Sequence, residues 1–477
     1  MWTLRPLVLF LAIVAAGGFP AAGAQAPAQL AGHFEGAILI LGTELAIQVE
    51  FQAGDQGLAA TIDIPQQGAA GLALANVRFD PPTVHFELPA GPGVAIFDGE
   101  LRGEEIAGKF LQAGMAGEFR LARRAASALP QAAPEPLPYR EEEVTFVTAD
   151  GTFAGTLTLP PGPGRHPAVV LLTGSGAQNR DEELFGFKPF RLIADHLTRN
   201  GITVLRYDDR GIGGTTASAA QATSAEFASD ALAAVAYLKA RPEIDAQRVG
   251  LLGHSEGGLV GPLAATRSRD VALLVLISGP GVPGEQILLE QAAAIGRAQG
   301  ANAADLEREA GFQRRAFAAV RSGSDPVTIR AEVSSLAREQ LARLPEEQRQ
   351  AIGGSDQVVE TAIEAQVRML QSPWFRFFLD YDPAPTLEKV RCPVLALFGE
   401  KDLQVPAETN RKAVAEALAR GGNADVTTMI LPGANHLFQA AALGTPNEYA
   451  ALKKEFVPGF LETISRWIRS RTGLTGS

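Results

Sequence analysis

Ser255 sits in the pentapeptide Gly253-His254-Ser255-Glu256-Gly257 of this 477-residue chain. The apolar run from Arg248 to Leu252 leads into it, and Gly258-Leu259-Val260 leads out. The pattern reads as strand, abrupt turn, helix, a G-x-S-x-G turn that lifts a serine hydroxyl to the tip of a parallel sheet. Glycines on both sides let strand and helix approach closely. A serine hydroxyl is a weak nucleophile and needs a base, and the base needs an orienting acid. On turns of this kind the chain order is serine, then carboxylate, then histidine. The six histidines are His33, His85, His166, His196, His254 and His436, and only His436 follows Ser255. It lies in Pro432-Gly433-Ala434-Asn435-His436-Leu437-Phe438, directly after the last apolar strand. The preceding apolar strand, Val394 to Phe398, runs into Gly399-Glu400-Lys401-Asp402. Asp402 is the candidate acid and Glu400, on the same turn, the alternative. Asp382 and Asp425 are less well placed.

Acyl chemistry also needs two amides aimed at a developing oxyanion. One is the amide of Glu256, next after the serine. The other comes from Leu172-Thr173-Gly174-Ser175-Gly176, where Ser175 is favoured and Gly176 is its neighbour. A phosphate loop is a poor reading of this segment, because neither G-x-G-x-x-G nor G-K-[ST] is present. Asp208-Asp209-Arg210-Gly211 reads as an ion-paired brace.

These groups all fall at the ends of apolar segments that alternate with amphipathic ones. Strands are expected at 168–172, 203–207, 249–252, 272–277, 394–398 and 426–431. Helices are expected at 189–199, 226–240, 407–419 and 449–468, and a hairpin at 144–159 precedes them. Buried strands alternating with helices imply a doubly wound, mostly parallel α/β sheet, with sites at the carboxyl ends of its strands. Residues 284–374 lack strand signals and read as a helical cap. Trp374, Phe375, Phe377 and Phe378 return the chain to the sheet, as core or hinge packing.

The N-terminal part differs. Arg5, the apolar run Leu7 to Ala16 and Ala22-Gly23-Ala24 form a signal-peptide pattern over 1–24, so the mature chain should be exported, periplasmic or extracellular, with no stable membrane anchor after cleavage. From 25 to 121, short alternating apolar runs punctuated by Gly, Pro and Asp predict an antiparallel sandwich or small barrel, to which no chemistry is assigned. A Pro- and Ala-rich linker, 122–142, separates it from the domain at 143–477. Net charge −11 and a pI near 5.2 disfavour nucleic acid as a partner. Cys392, the single cysteine, reads as a buried spectator. Scattered histidines offer no metal-ligand spacing, so neither metal nor cofactor is expected. Oligomeric state is not encoded in any motif.

As a set, Gly174 to Asp181, Arg206 to Gly213, Gly253 to Gly258, the turn at Asp402 and Asn435-His436 resemble α/β-hydrolase carboxylesterases of the exported bacterial EstD type. The resemblance spans roughly Glu143 to Arg469. It implies Ser255, Asp402 and His436 as nucleophile, acid and base, and hydrolysis of short-chain carboxylic esters, a small-molecule substrate class. The chain departs from that pattern at Ala177 and Asn179, where Pro and Asp are expected. The same chemistry would also serve a peptidase, thioesterase or acyltransferase, and the fold alone could serve a non-catalytic binding protein.

Overall fold

The computed structural model describes residues 29–40, 43–54, 57–64, 69–88, 95–112, 115–124, 137–184, 186–322, 326–343 and 356–474. Residues 1–24, read from the sequence as a signal peptide, and most of the expected linker lie outside them. The described residues form two compact units.

The first unit contains a nine-stranded antiparallel sheet. Its strands are β1 (Gly32–Ile40), β2 (Thr43–Gly54), β3 (Gly57–Ile64), β4 (Ala69–Ala73), β5 (Ala75–Asp80), β6 (Thr83–Leu88), β7 (Ala95–Arg102), β8 (Glu105–Gln112) and β9 (Met115–Arg123). The order is β4-β3-β2-β1-β9-β8-β7-β6-β5. Only Leu74 separates β4 from β5, and its N–H bonds to Ala60 O on β3 at 2.8 Å. The two ends of the sheet therefore meet at Leu74, and the sheet curls into a near-barrel. Period-two alternation sends Phe34, Phe51, Phe86, Phe97, Phe110 and Phe119 inward, and all six are buried. Phe86 stacks on Phe97 at 4.5 Å and meets Phe51 and Phe119 edge-on at 5.5 and 5.7 Å. The interior of the near-barrel is thus a packed core. Phe86→Ala is expected to cost about 3–5 kcal/mol of stability in urea unfolding. His33 and His85 stay on the flanks, bonded to Glu35 and Glu50 and to Glu87 and Asp98. The described residues of 322–370 group with this unit. They include the helices Pro326–Arg343 and Asp356–Gln371, the latter up to Leu370.

The second unit is an eight-stranded sheet of β10 (Arg140–Thr148), β11 (Gly151–Leu159), β12 (His166–Leu172), β13 (Thr203–Tyr207), β14 (Ile244–His254), β15 (Leu274–Ile277), β16 (Val394–Gly399) and β17 (Val426–Leu431). Its order is β10-β11-β13-β12-β14-β15-β16-β17. β10, β11 and β13 pair antiparallel and the rest pair parallel. The central strands are buried on both faces, which is why they read as continuous apolar runs rather than alternations. Helices Pro189–Arg199, Ser224–Lys239, Gly257–Arg267 and Ala407–Arg420 connect them. Helices Gly284–Ala298, Ala303–Arg321 and Pro373–Asp380 lie between β15 and β16 in the chain.

Two sequence expectations are corrected. A single final helix over 449–468 does not form. The chain makes a short 3-10 turn at Pro446–Ala451 and then the helix Phe460–Thr472. Pro458 and Gly459, the latter at φ 86°, break the periodic pattern between them. Cys392, expected to be buried, is partly buried. Burial nevertheless pushes its thiol up to about 11, so it stays protonated.

Candidate active site

β14 lies at the centre of its sheet and ends at His254. Ser255 then adopts φ 51°, the left-handed region that non-glycine residues rarely enter. Close packing holds it there. A Cβ at Gly253 would lie 2.0 Å from Gly257 O, and one at Gly257 would lie 2.2 Å from Leu172 O. Ser255 N–H still donates to Ile277 O at 2.9 Å, and Ser255 O accepts from Gly258 N at 2.8 Å. The turn is therefore anchored to the sheet on one side and to the helix Gly257–Arg267 on the other.

The loop after β12 packs on the serine. A Cβ on Gly174 would lie 3.2 Å from Ser255 Cβ. Asn179 stands where Asp is expected from the resemblance and does the same work. Its Oδ1 accepts from Asp181 N at 3.0 Å and Glu183 N at 3.3 Å, an Asx-type turn either residue can make. Asp209 accepts from Thr173 Oγ1 at 2.7 Å and Gln178 N at 2.9 Å, and burial holds its carboxyl well above the usual range. Arg180 clasps Asp208 through Nε and Nη2 at 3.0 and 2.7 Å, and Arg210 clasps Asp230 at 2.7 and 2.8 Å. The Asp208-Asp209-Arg210 segment thus braces this loop.

His436 follows β17 on a loop with its own scaffold. Fully buried Asn435 accepts Leu437 N–H and Gln439 N–H on Oδ1 at 3.0 and 2.9 Å. Phe438 stacks on Phe460 at 4.4 Å. His436 Nδ1 meets Asp402 Oδ2 at 2.8 Å, with both side chains buried. Asp402 Oδ1 accepts from Gln404 N and Val405 N at 2.9 and 2.8 Å, which fixes the carboxylate on the turn after β16. An Nδ1–H donated to Asp402 leaves the Nε2 lone pair to act as a base. Glu400 instead accepts Gly433 N–H from an exposed position. Asp425 pairs with Arg471, and Asp382 caps Ala384 N.

Among the described residues no hydrogen bond joins Ser255 Oγ to the His436 ring. The two are linked through the residue before the serine. The His254 ring lies 4.7 Å from the His436 ring, and His254 Nε2 donates to His436 O at 3.0 Å.

Glu256 has a role that no sequence pattern revealed. Its fully buried carboxyl accepts from Ser224 Oγ at 2.6 Å and Trp374 Nε1 at 2.8 Å, and Ser175 also bonds it. Trp374 belongs to the helix Pro373–Asp380 and stacks on Phe378 at 5.5 Å. Burial raises the Glu256 carboxyl above its ordinary value against these three donors. The folded state therefore binds this proton more tightly than the unfolded chain. The group favours folding in acid, and that contribution is lost as pH rises from the ordinary carboxylate range through the raised value. Glu256→Gln is expected to raise the melting temperature relative to wild type at pH 8 and to give no such gain at pH 4, as read by paired thermal scans.

A cleft of about 310 Å³ beside Asp402 is lined by Glu290, Arg297, Glu400, Leu403 and Pro406 and does not reach Ser255. Among the described residues no group of three or more His, Cys, Asp or Glu could hold a metal.

A sheet with its serine turn at the end of β14 and a buried imidazole–carboxylate pair across the neighbouring strand ends defines a hydrolase-type scaffold. The chain belongs to the alpha/beta hydrolase family, whose model matches residues 169–452. It is 27% identical over 336 residues to esterase EstD of Thermotoga maritima, a match covering 70% of this chain and 68% of that one. A shorter match, 30% identical over 132 residues, is to mitochondrial acyl-coenzyme A thioesterase 2 of Rattus norvegicus; it covers 27% of this chain and 26% of that protein. Among solved structures, an esterase of Pyrococcus furiosus aligns with 73% of this chain and 96% of its own, at 16% identity and TM-score 0.42. A proline iminopeptidase of Mycobacterium smegmatis aligns with 70% and 99%, at 19% identity and TM-score 0.41.

Proposed function

We propose that this chain is a carboxylesterase-type serine hydrolase that cleaves short-chain carboxylic esters through an acyl-enzyme. The observation that carries the reading is the buried His436–Asp402 pair, presented on the loops after β16 and β17 of the sheet whose strand β14 ends in the strained Ser255 turn. In this reading Ser255 Oγ attacks the ester carbonyl while His436 Nε2 takes its proton, and Asp402 stabilises the imidazolium that results. Gly174 N–H is already donated to Glu182 at 2.6 Å. The amides of Ser175 and Glu256 are the pair assigned to the oxyanion, with Gly176 the alternative to Ser175. His436 then protonates the leaving alcohol, and water releases the acyl group by the same route. The similarity to esterase EstD supports ester over amide substrates.

The test is hydrolysis of p-nitrophenyl acetate and butyrate beside butyryl-coenzyme A and an aminoacyl p-nitroanilide. Turnover of the two esters well above the thioester and the anilide is expected, whereas preference for the thioester would move the assignment to thioesterase chemistry. We further propose export, with cleavage after Ala24. N-terminal sequencing of the secreted or periplasmic protein should begin at Gln25, and a retained Met1 contradicts it.

A further inference from the structure

The strand residue before the serine makes two bonds that the proposed chemistry does not use. His254 Nδ1 meets Glu182 Oε1 at 2.8 Å, and His254 Nε2 meets His436 O at 3.0 Å. Glu182 Oε1 also accepts Gly174 N–H at 2.6 Å. Both His254 and Glu182 are buried, at 5% relative exposure each. One short chain of contacts therefore runs from the loop that packs on Ser255, through Glu182 and His254, to the backbone of His436. We propose that Glu182 and His254 are positioning residues, forming a buried carboxylate–imidazolium tie that sets the His436 loop against the Gly174 loop.

The proton inventory argues for the charged form of the ring. A backbone carbonyl only accepts, so Nε2 must carry a hydrogen. Glu182 Oε1 already accepts from Gly174 and faces Nδ1 as a second acceptor, so Nδ1 carries one as well. The groups facing this ring are the Glu182 carboxylate, the His436 ring and carbonyl, and the Asp402 charge. Burial alone would lower the proton affinity of His254, but the Glu182 carboxylate beside it holds the ring above its ordinary value. The carboxylate side also feels buried Asp209.

Loss of one proton leaves a single N–H for two acceptors. Glu182, the charged acceptor, keeps it, and the His436 carbonyl then faces a bare lone pair. The tie thus acts below the folded-state titration of His254 and is released as pH rises through it. A catalytic imidazole displaced by about 1 Å can lose on the order of 100-fold in rate.

This inference rests on the ester-hydrolase reading for its kinetic arm only. The pH profiles of kcat and KM for p-nitrophenyl butyrate are measured for wild type, Glu182→Gln and His254→Gln, each checked by circular dichroism. Separately, the imidazole nitrogens of ¹⁵N-histidine-labelled Ser255→Ala protein are observed by NMR, with and without Glu182→Gln. The expected results are a loss of kcat of about 10- to 100-fold with KM nearly unchanged in Glu182→Gln, and movement of the alkaline decline to lower pH. One buried ring protonated on both nitrogens at pH 7 should be present and should become neutral in Glu182→Gln. A uniform loss with an unmoved pH profile overturns the proposal, as does a His254 ring with a single proton at pH 7. A wild type inactive on every ester overturns the hydrolase reading, and the NMR result still decides the tie.

Discussion

Ser255→Ala is expected to lower kcat on p-nitrophenyl butyrate by about 10⁴- to 10⁶-fold, while the protein keeps its fold and its affinity for the ester. The substitution removes only an oxygen. The amides of Gly258 and Ser255 keep their partners at 2.8 and 2.9 Å, so the turn loses no hydrogen bond that shapes it. Alanine is strained at φ 51° just as serine is, so the backbone cost is carried by both proteins. A steady-state assay with a matched thermal scan separates lost chemistry from lost structure. Turnover equal to wild type would remove Ser255 from the mechanism.

The second large effect is expected for Asp402→Asn, a loss in kcat of about 10⁴-fold with KM little changed. Asn Oδ1 can still accept the amides of Gln404 and Val405, so the turn after β16 is preserved. The other atom becomes an NH₂ that donates toward His436 Nδ1 where Asp402 Oδ2 now accepts. The imidazole must then carry its proton on Nε2, the nitrogen assigned to Ser255. The ring stays in place but offers a hydrogen where a lone pair is required. The variant's pH–rate profile and its kcat against KM measure this directly, and an unchanged kcat contradicts the role of Asp402.

Much of this arrangement is legible in the residues themselves. The strands 203–207 and 426–431 and the helix 189–199 were bounded by apolar runs and breakers, and the structure gives those same bounds. Chain order singled out His436, and the structure distinguishes Asp402 from Glu400 by which carboxylate faces the ring. The curl of the sheet into a near-barrel was not legible, because it depends on the ends of the sheet meeting at Leu74 and not on any local pattern. Nor were the partners of His254 and Glu256. Glu182 stands 72 positions from His254 and Trp374 stands 118 from Glu256. Neither pair leaves a periodicity or spacing, and only the folded chain brings them together. The break at Pro458-Gly459 was visible as residues, but the helical spacing on either side masked it.

The central claim is that Ser255 is the nucleophile made reactive by His436 and Asp402. Treatment with a fluorophosphonate ester followed by peptide mass spectrometry tests it most directly. A single adduct on the peptide containing Ser255 is expected, absent in Ser255→Ala and strongly slowed in His436→Ala. Stoichiometric labelling of any other residue, or an unlabelled Ser255 in protein that still hydrolyses esters and loses that activity to the reagent, would contradict it.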